Sequence, residues 1–343
     1  MFTPPTFTVA LLMVIASAVC WGSWANTYKG TRNYRFELFY WDYAAGIVLI
    51  SLILAFTMGS FGTSGDSFLA NLRAADGNNI VMALVGGVIF NVANLLLVAG
   101  IDMAGLAVAF PVSIGIALVV GVVLSYGLQP KGNAMLLAWG VLAAVVAVIA
   151  IGKAYASLGS SGRTVTRKSI VVCVISGVLM GSFAPFVTRA LTHGHALTPY
   201  SIAVFFTLGA FLCCFGVNVY FMKKPLVGAP VDFRDYFKAR PADHMLGLLG
   251  GFVWGLGTVF NFVAAGFTGV AISYAIGQSA PMVAALWGVL VWKEFAGSGS
   301  RARMYLGAMF AFYILAIVLI AKAYNAEASG LAMLHLVRGA LGN

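Results

Sequence analysis

The sequence predicts an all-α membrane protein with ten transmembrane helices, arranged as two inverted repeats of five helices. Three observations predict this fold class. Charged residues make up 9% and apolar residues 61% of the 343 residues, against roughly 25% and 45–50% in soluble domains. Apolar runs of the ~20 residues needed to cross a bilayer recur along the whole chain. A stretch in the second half of the chain also resembles one in the first half.

The first helix is predicted over residues 7–25, because this run is apolar and long enough to span a bilayer. It lacks a basic segment before it, so we interpret it as a membrane helix and not as a signal peptide. The other nine helices are predicted at 42–59, 80–100, 104–127, 134–152, 169–189, 199–221, 244–264, 270–292 and 303–322. The connection VDFRDYFKARPADH, before the eighth helix, is predicted to form a short amphipathic helix at the membrane surface.

The two halves of the chain match each other. A shift of 164 residues places Gly86, Gly87, Gly105 and Phe110 on Gly250, Gly251, Gly269 and Tyr274. The motif GSWA at 22–25 recurs as GSFA at 181–184. Because five is an odd number of helices, the two units are expected to face opposite sides of the bilayer. The predicted units are a first repeat over 1–158, a linker over 159–168, a second repeat over 169–325 and a tail over 326–343.

The basic residues predict the orientation. Fifteen of the 20 Lys and Arg residues lie in connections on one side of the predicted bundle, which is therefore expected to be cytoplasmic. Both termini are then extracytoplasmic, in the plasma (inner) membrane. The tail from Glu327 is expected to lie on the outer surface. This distribution accounts for the net charge of +10 without nucleic-acid binding.

No motif predicts an enzyme, a cofactor or a metal site. The sequence has neither a glycine-rich phosphate loop nor two carboxylates at helical spacing within a span. His193 and His195 are close in sequence, but no cysteine or carboxylate ligand accompanies them. We therefore predict a protein that is not an enzyme and that binds no cofactor.

Uncharged polar and aromatic side chains inside the predicted helices form the candidate binding site. A polar group in hydrocarbon either pairs with another helix or lines a polar cavity. Pro281 interrupts the backbone pattern of the ninth helix, and interrupted helices are often used in transporter sites. The predicted binding residues are Trp24, Asn91, Asn94, Phe110, Ser113, Trp254, Thr258, Asn261, Tyr274 and Gln278. The alternative, that these side chains only join helices, stays open.

Charged residues at predicted cytoplasmic helix ends are candidates for an inner gate. They are Lys29, Asp42 and Glu294. Asp42 is also our candidate for carrying a coupling proton, because no acidic residue is predicted at the midplane. Trp21 and Phe183 are expected to form aromatic barriers in the inner third of helix 1 and the outer third of helix 6. The alternative is that the charges only anchor helix ends.

Several motifs resemble a known superfamily of transporters. WGLG at 254–257 and AISYAIGQ at 271–278 resemble the glucose/ribose porter branch of the drug/metabolite transporter superfamily. GSW at 22–24, YWDY at 40–43 and AFTMG at 55–59 are similar to ureide permeases. The resemblance covers roughly residues 10–325. It implies ten helices in inverted repeats, with a central cavity lined mainly by helices 1, 3, 4, 6, 8 and 9.

The resemblance also implies uptake of a small neutral solute, often coupled to protons. We therefore predict a secondary transporter in the lipid bilayer, monomeric or homodimeric, that imports a ureide, a nucleobase or a sugar. An exporter of metabolites or drugs from the same superfamily is the alternative within transport. A membrane-embedded enzyme or a receptor would need a catalytic constellation or a soluble sensing domain, and the sequence contains neither.

Overall fold

The computed structural model describes residues 1–62, 64–158 and 165–341, with the side chains of 106, 107, 110 and 325–341 outside that description. Every regular element of the described residues is helical. Ten of these helices, called helix 1 to helix 10, are long and apolar enough to cross a membrane: Phe7–Lys29, Phe36–Phe56, Gly77–Ala104, Pro111–Leu128, Ala134–Ala156, Arg167–Thr192, Pro199–Lys223, Pro241–Thr268, Val270–Leu290 and Ser300–Tyr324. The predicted all-α polytopic fold class is confirmed.

Several helix boundaries differ from the prediction, among them the start of helix 2 and the end of helix 10. Helix 2 begins at Phe36 instead of residue 42, because Arg35 and Glu37 pair at 2.7 Å and allow the helix to start within a charged segment. The last helix continues from Ser300 to Leu341. The backbone of the predicted tail therefore extends helix 10, in a segment that contains no proline. Of the predicted linker, residues 159–164 lie outside the described part of the chain.

Helices 3 and 8 occupy corresponding positions in the two halves. Each has 28 residues, and their first residues, Gly77 and Pro241, are 164 positions apart. Both end at a glycine in the left-handed half of φ space, Gly105 at 78° and Gly269 at 87°. Side chains other than hydrogen are strained at such φ values, so the glycines allow the chain to reverse within one residue. The shift found in the sequence thus relates two equal helices.

The packing of helices 3 and 8 also corresponds. Gly87 of helix 3 lies against the carbonyl oxygen of Phe206 in helix 7. Gly251 of helix 8 lies in the same way against the carbonyl oxygen of Tyr43 in helix 2. Neither position has room for a methyl group. Each half therefore packs its third helix onto the second helix of the other half, and the opposite orientation of the halves in the bilayer stays a prediction.

Five of the described membrane helices are irregular: helix 7 has a π-helical turn over Cys214–Asn218, and the other four are irregular at corresponding positions. Helix 1 is interrupted at Trp24 and helix 6 at Phe183. Helix 4 begins in a π-helical turn over Phe110–Ile114, and helix 9 is interrupted at Gln278 and the following serine, just before Pro281. Interrupted helices leave backbone polar groups without intrahelical partners, and in membranes such segments lie inside the protein or beside a cavity. These interruptions place the candidate site at the centre of the bundle.

The connection between helices 7 and 8 contains the predicted short helix, Phe233–Lys238. Asp232 caps its first turn, and the Asp235 side chain accepts from the Asp232 backbone N–H in return. Phe237 is 80% exposed, whereas the neighbouring Tyr236 turns inward. This arrangement is the one expected for a helix at a membrane surface.

Candidate functional site

Three aromatic side chains from helices 1, 2 and 8 pack together inside the bundle. We call Trp24, Tyr43 and Trp254 the first aromatic trio. The Tyr43 ring centroid lies 4.7 Å from that of Trp24 and 6.2 Å from that of Trp254. Trp21 stacks on Trp254 at 6.0 Å, and its Nε1 donates to Thr258 Oγ1 at 3.1 Å. The structure thus brings four of the predicted residues together around Tyr43, which was not predicted.

Phe90, Phe183 and Phe206, from helices 3, 6 and 7, form a second aromatic trio. Phe206 lies 5.3 Å from Phe183 and 5.5 Å from Phe90, measured between ring centroids. Phe90 also stacks on Trp254 at 4.5 Å with an interplanar angle of 25°, which joins the two trios. Phe90 was not predicted as a site residue. It lies 164 residues before the predicted Trp254, so applying the internal shift to Trp254 would have identified it.

Tyr274 connects three helices. Its buried hydroxyl lies 3.3 Å from the carbonyl oxygen of Ala117 and 3.2 Å from that of Met180, and donates its proton to this pair. Its ring packs edge-on against Phe183 at 5.6 Å. These contacts hold the first part of helix 9 against helices 4 and 6, so Tyr274 joins helices in this conformation and offers no free face.

Gln278 and Asn261 lie beside the interruption of helix 9. Gln278 is 8% exposed, and its amide lies next to the Tyr274 hydroxyl. Asn261 donates from Nδ2 to the carbonyl oxygen of Ser273 at 3.1 Å, which ties helix 8 to helix 9. Gly277 lies against both Asn261 and Trp21. This places an amide pair of helices 8 and 9 at the edge of the first aromatic trio.

Asn94 is paired with a residue that the sequence did not suggest. Its Nδ2 donates to the hydroxyl oxygen of Tyr40 at 3.1 Å, which links helix 3 to helix 2. The Tyr40 ring in turn lies 5.2 Å from that of Tyr43. Among the described contacts Asn94 is therefore linked to the first aromatic trio through Tyr40 and has no hydrogen bond with Gln278.

Two predicted binding residues join helices instead of reaching the trios. Ser113 donates to the carbonyl oxygen of Cys173 at 2.9 Å, between helices 4 and 6. Asn91 faces helix 7, where its Oδ1 lies 3.8 Å from the sulfur of Cys214. The side chain of Phe110 lies outside the described part of the chain.

Lys29 and Glu294, two of the predicted gating residues, pair with each other. Their Nζ and Oε1 atoms are 2.6 Å apart, and the Tyr155 hydroxyl donates to Oε2 of the same carboxylate at 3.2 Å. Beside them Trp292 donates from Nε1 to Asn26 Oδ1 at 2.6 Å. The ends of helices 1 and 9 are thus fastened together by a partly exposed ion pair.

Asp42, the third predicted charged gating residue, is buried in a separate cluster. Its carboxylate accepts from the Tyr34 hydroxyl at 2.8 Å and the Tyr236 hydroxyl at 2.7 Å, and lies 2.9 Å from His244 Nδ1. Burial and the hydrogen bond to Asp42 raise the pKa of Tyr34, and the same causes raise the pKa of Tyr236. Both phenols therefore stay protonated as donors. None of these partners was predicted, because two come from separate connections and the third comes from helix 8.

The family model for ureide permeases matches residues 39–168 and 160–323 of the chain. Ureide permease 1 of Arabidopsis thaliana is 25% identical over 345 residues, covering 82% of this chain and 87% of that protein. Ureide permease 4 of the same plant is 22% identical over 385 residues, covering 91% and 96%. The putative sugar uptake protein lin0444 of Listeria innocua is 25% identical over 219 residues, covering 63% and 70%.

A solved structure described only as the crystal structure of a protein has the same fold. Its TM-score is 0.62 at 14% sequence identity, over 92% of this chain and 98% of that chain. The ten membrane helices and the family match together identify a multi-pass membrane transporter of small solutes, which is not an enzyme. The chain belongs to the ureide permease family.

Proposed function

We propose that this transporter imports a small, neutral, polar solute of the ureide, nucleobase or sugar class. The observation that carries the proposal is the chemistry around the first aromatic trio, where the polar side chains are neutral: Asn94, Thr258, Asn261 and Gln278. A charged solute at such a site would lose its hydration without gaining a counter-ion, which is costly in a buried environment. The names of the ureide permeases and of the Listeria sugar uptake protein support the same class.

The proposed site matches these solutes in two ways. The amides of Asn94 and Gln278 offer both donors and acceptors, which suits solutes rich in N–H, O–H and C=O groups. The rings of Trp24 and Trp254 offer flat apolar surfaces for a heterocycle or a sugar face. Gln278 lies at the interruption of helix 9, where backbone groups add further polar contacts.

Transport would proceed by alternating access between the repeats at 1–158 and 169–325. The correspondence of helices 3 and 8 supports two inverted units around a central site. We take both termini to be extracytoplasmic in the plasma membrane. The hydrogen bonds of the Tyr274 hydroxyl to Ala117 and Met180 then lie on the outer side of the bundle, which supports a state closed to the outside. The Lys29–Glu294 pair would keep helices 1 and 9 together as the inner side opens and closes.

Coupling to protons is proposed at Asp42. This carboxylate is buried at the predicted cytoplasmic end of helix 2, and its Oδ2 lies 2.9 Å from Nδ1 of His244. Tyr236 belongs to the connection that follows helix 7, so protonation within the cluster would change how that connection is held against helices 2 and 8. Protonation of the cluster would therefore change the relative position of helices from both repeats.

The test is uptake into proteoliposomes. Purified protein is reconstituted and offered labelled allantoin, uracil and glucose, with and without an imposed pH gradient, beside protein-free liposomes. Saturable uptake of at least one neutral solute is expected, with accumulation when the outside is acidic. Transport of a phosphorylated or charged solute only would contradict the proposed substrate class. Uptake that never exceeds the outside concentration would contradict proton coupling, and net efflux under the same gradient would contradict import.

A further inference from the structure

Tyr43 carries a polar atom for which the described part of the chain provides no partner. Its side chain is fully buried, and its hydroxyl oxygen forms no hydrogen bond with a described residue. Buried polar groups in folded proteins are nearly always paired, since an unpaired one loses its bonds to water without replacement. The Tyr43 hydroxyl is therefore a group that something other than these residues can bind.

The second aromatic trio shows that ring packing does not require this oxygen. Phe206 occupies the position in helix 7 that corresponds to Tyr43 in helix 2, because Gly87 meets the Phe206 carbonyl as Gly251 meets that of Tyr43. Phe206 also contacts Phe183 at 5.3 Å, as Tyr43 contacts Trp24 at 4.7 Å. The equivalent packing is thus made by a phenylalanine.

The surroundings of Tyr43 are those of a binding position. Trp24 is only half-buried and covers the Tyr43 ring, so one side of the trio is formed by a partly exposed side chain. Tyr40, one turn away, accepts from Asn94, which places an amide–phenol pair beside the trio. Trp254 closes the opposite side, stacked on Phe90.

We propose that the Tyr43 hydroxyl binds the transported solute by a hydrogen bond to one of its carbonyl, N–H or O–H groups. The inference rests on the proposed function, and it assigns the polar contact to a residue of helix 2. The first aromatic trio then binds the solute through ring faces and one hydroxyl, whereas the second aromatic trio contributes only apolar surface. The site is chemically different on its two sides.

Two variants that remove a single oxygen test this assignment. Tyr43→Phe deletes the proposed contact. Tyr313→Phe is the matched control, because Tyr313 of helix 10 is equally buried and its hydroxyl is also unpaired among the described residues. Without solute, neither variant should lower the midpoint of thermal unfolding, since each removes an unpaired buried group. With solute, Tyr43→Phe should raise KM by about 5- to 150-fold, and Tyr313→Phe should leave it unchanged.

The measurement is initial uptake in proteoliposomes over a range of concentrations of allantoin, uracil, glucose and a phosphorylated sugar. An equal KM for wild type and Tyr43→Phe, with whichever solute is transported, would overturn the role of Tyr43. Exclusive transport of the phosphorylated sugar would instead refute the neutral substrate class, and the KM ratio for that solute would still decide the role of Tyr43. A parallel rise in KM in Tyr313→Phe would assign the effect to packing and also overturn the proposal.

Discussion

Replacing Gln278 by alanine is expected to weaken solute binding while leaving the fold intact. The Gln278 amide lies next to the Tyr274 hydroxyl, but that hydroxyl keeps the carbonyl oxygens of Ala117 and Met180 as acceptors. Among the described residues, the substitution therefore leaves the Tyr274 hydroxyl with both of its acceptors. A solute without its amide partner in a buried site loses roughly 1–3 kcal/mol of binding free energy, which is about 5- to 150-fold in affinity.

Asn94→Ala is the informative comparison, because Asn94 already has a partner in the protein. Its removal takes the donor away from the buried Tyr40 hydroxyl oxygen, so the free energy of unfolding should fall by roughly 1–3 kcal/mol. If Asn94 also binds solute, KM rises as well. Gln278→Ala should thus change KM alone, and Asn94→Ala should change both quantities.

The assay combines KM from proteoliposome uptake with the midpoint of thermal unfolding in detergent. Leu315→Ala on helix 10, where the leucine is 44% exposed toward the predicted lipid phase, is the control and should change neither quantity strongly. Unchanged KM in both amide variants would refute the reasoning, and would show that these amides only join helices. A fall in the thermal midpoint of Gln278→Ala as large as that of Asn94→Ala would refute the claim that Gln278 is free of a structural role.

Three further outcomes are expected. Asp42→Asn should abolish accumulation driven by a pH gradient while downhill exchange of solute persists, and retained accumulation would remove Asp42 from coupling. Alanine substitutions at Lys29 and Glu294, made singly and together, form a double-mutant cycle for the ion pair. The coupling energy in the free energy of unfolding should be below about 1 kcal/mol, because the pair is partly exposed. A larger coupling energy would mean that the ion pair is effectively desolvated. In a cysteine-free background, Ser64→Cys should react with an impermeant thiol reagent in intact cells and Lys238→Cys should not, and the reverse would overturn the orientation.

Hydropathy predicted the ten helices because a bilayer requires long apolar segments whatever the fold. The same requirement hides which helix faces pack inside, since residues facing lipid and residues facing other helices are both apolar. Asn94 was selected as polar, but nothing in the spacing indicated Tyr40 as its partner. Charge also made the predicted helix 2 begin too late, at residue 42 instead of Phe36, because the pairing of Arg35 with Glu37 depends on the folded geometry.

The internal shift of 164 residues predicted correspondences between individual residues of the two halves, which hydropathy did not. It relates Gly105 to Gly269 and, applied to Trp254, it identifies Phe90, which stacks on that tryptophan. It provides no information on the cluster of Asp42, whose partners come from the connection between helices 1 and 2, the connection before helix 8, and helix 8 itself. Contacts that have no counterpart at the matching positions of the repeat cannot be found from the shift.

That difference between the halves bears on the direction of transport. The position that corresponds to Asp42 in helix 7 is Phe205, one residue before Phe206, and the position that corresponds to His244 in helix 3 is Ile80. If the halves are inverted and both termini are extracytoplasmic, as predicted, the cluster of Asp42 and His244 lies on the cytoplasmic side, and the matching positions on the outer side are Phe205 and Ile80. The ionisable groups of the cluster then have no counterpart at those positions. We therefore expect any pH effect on transport to depend on which side of the membrane is acidified, and equal effects from the two sides would contradict a role for this asymmetry.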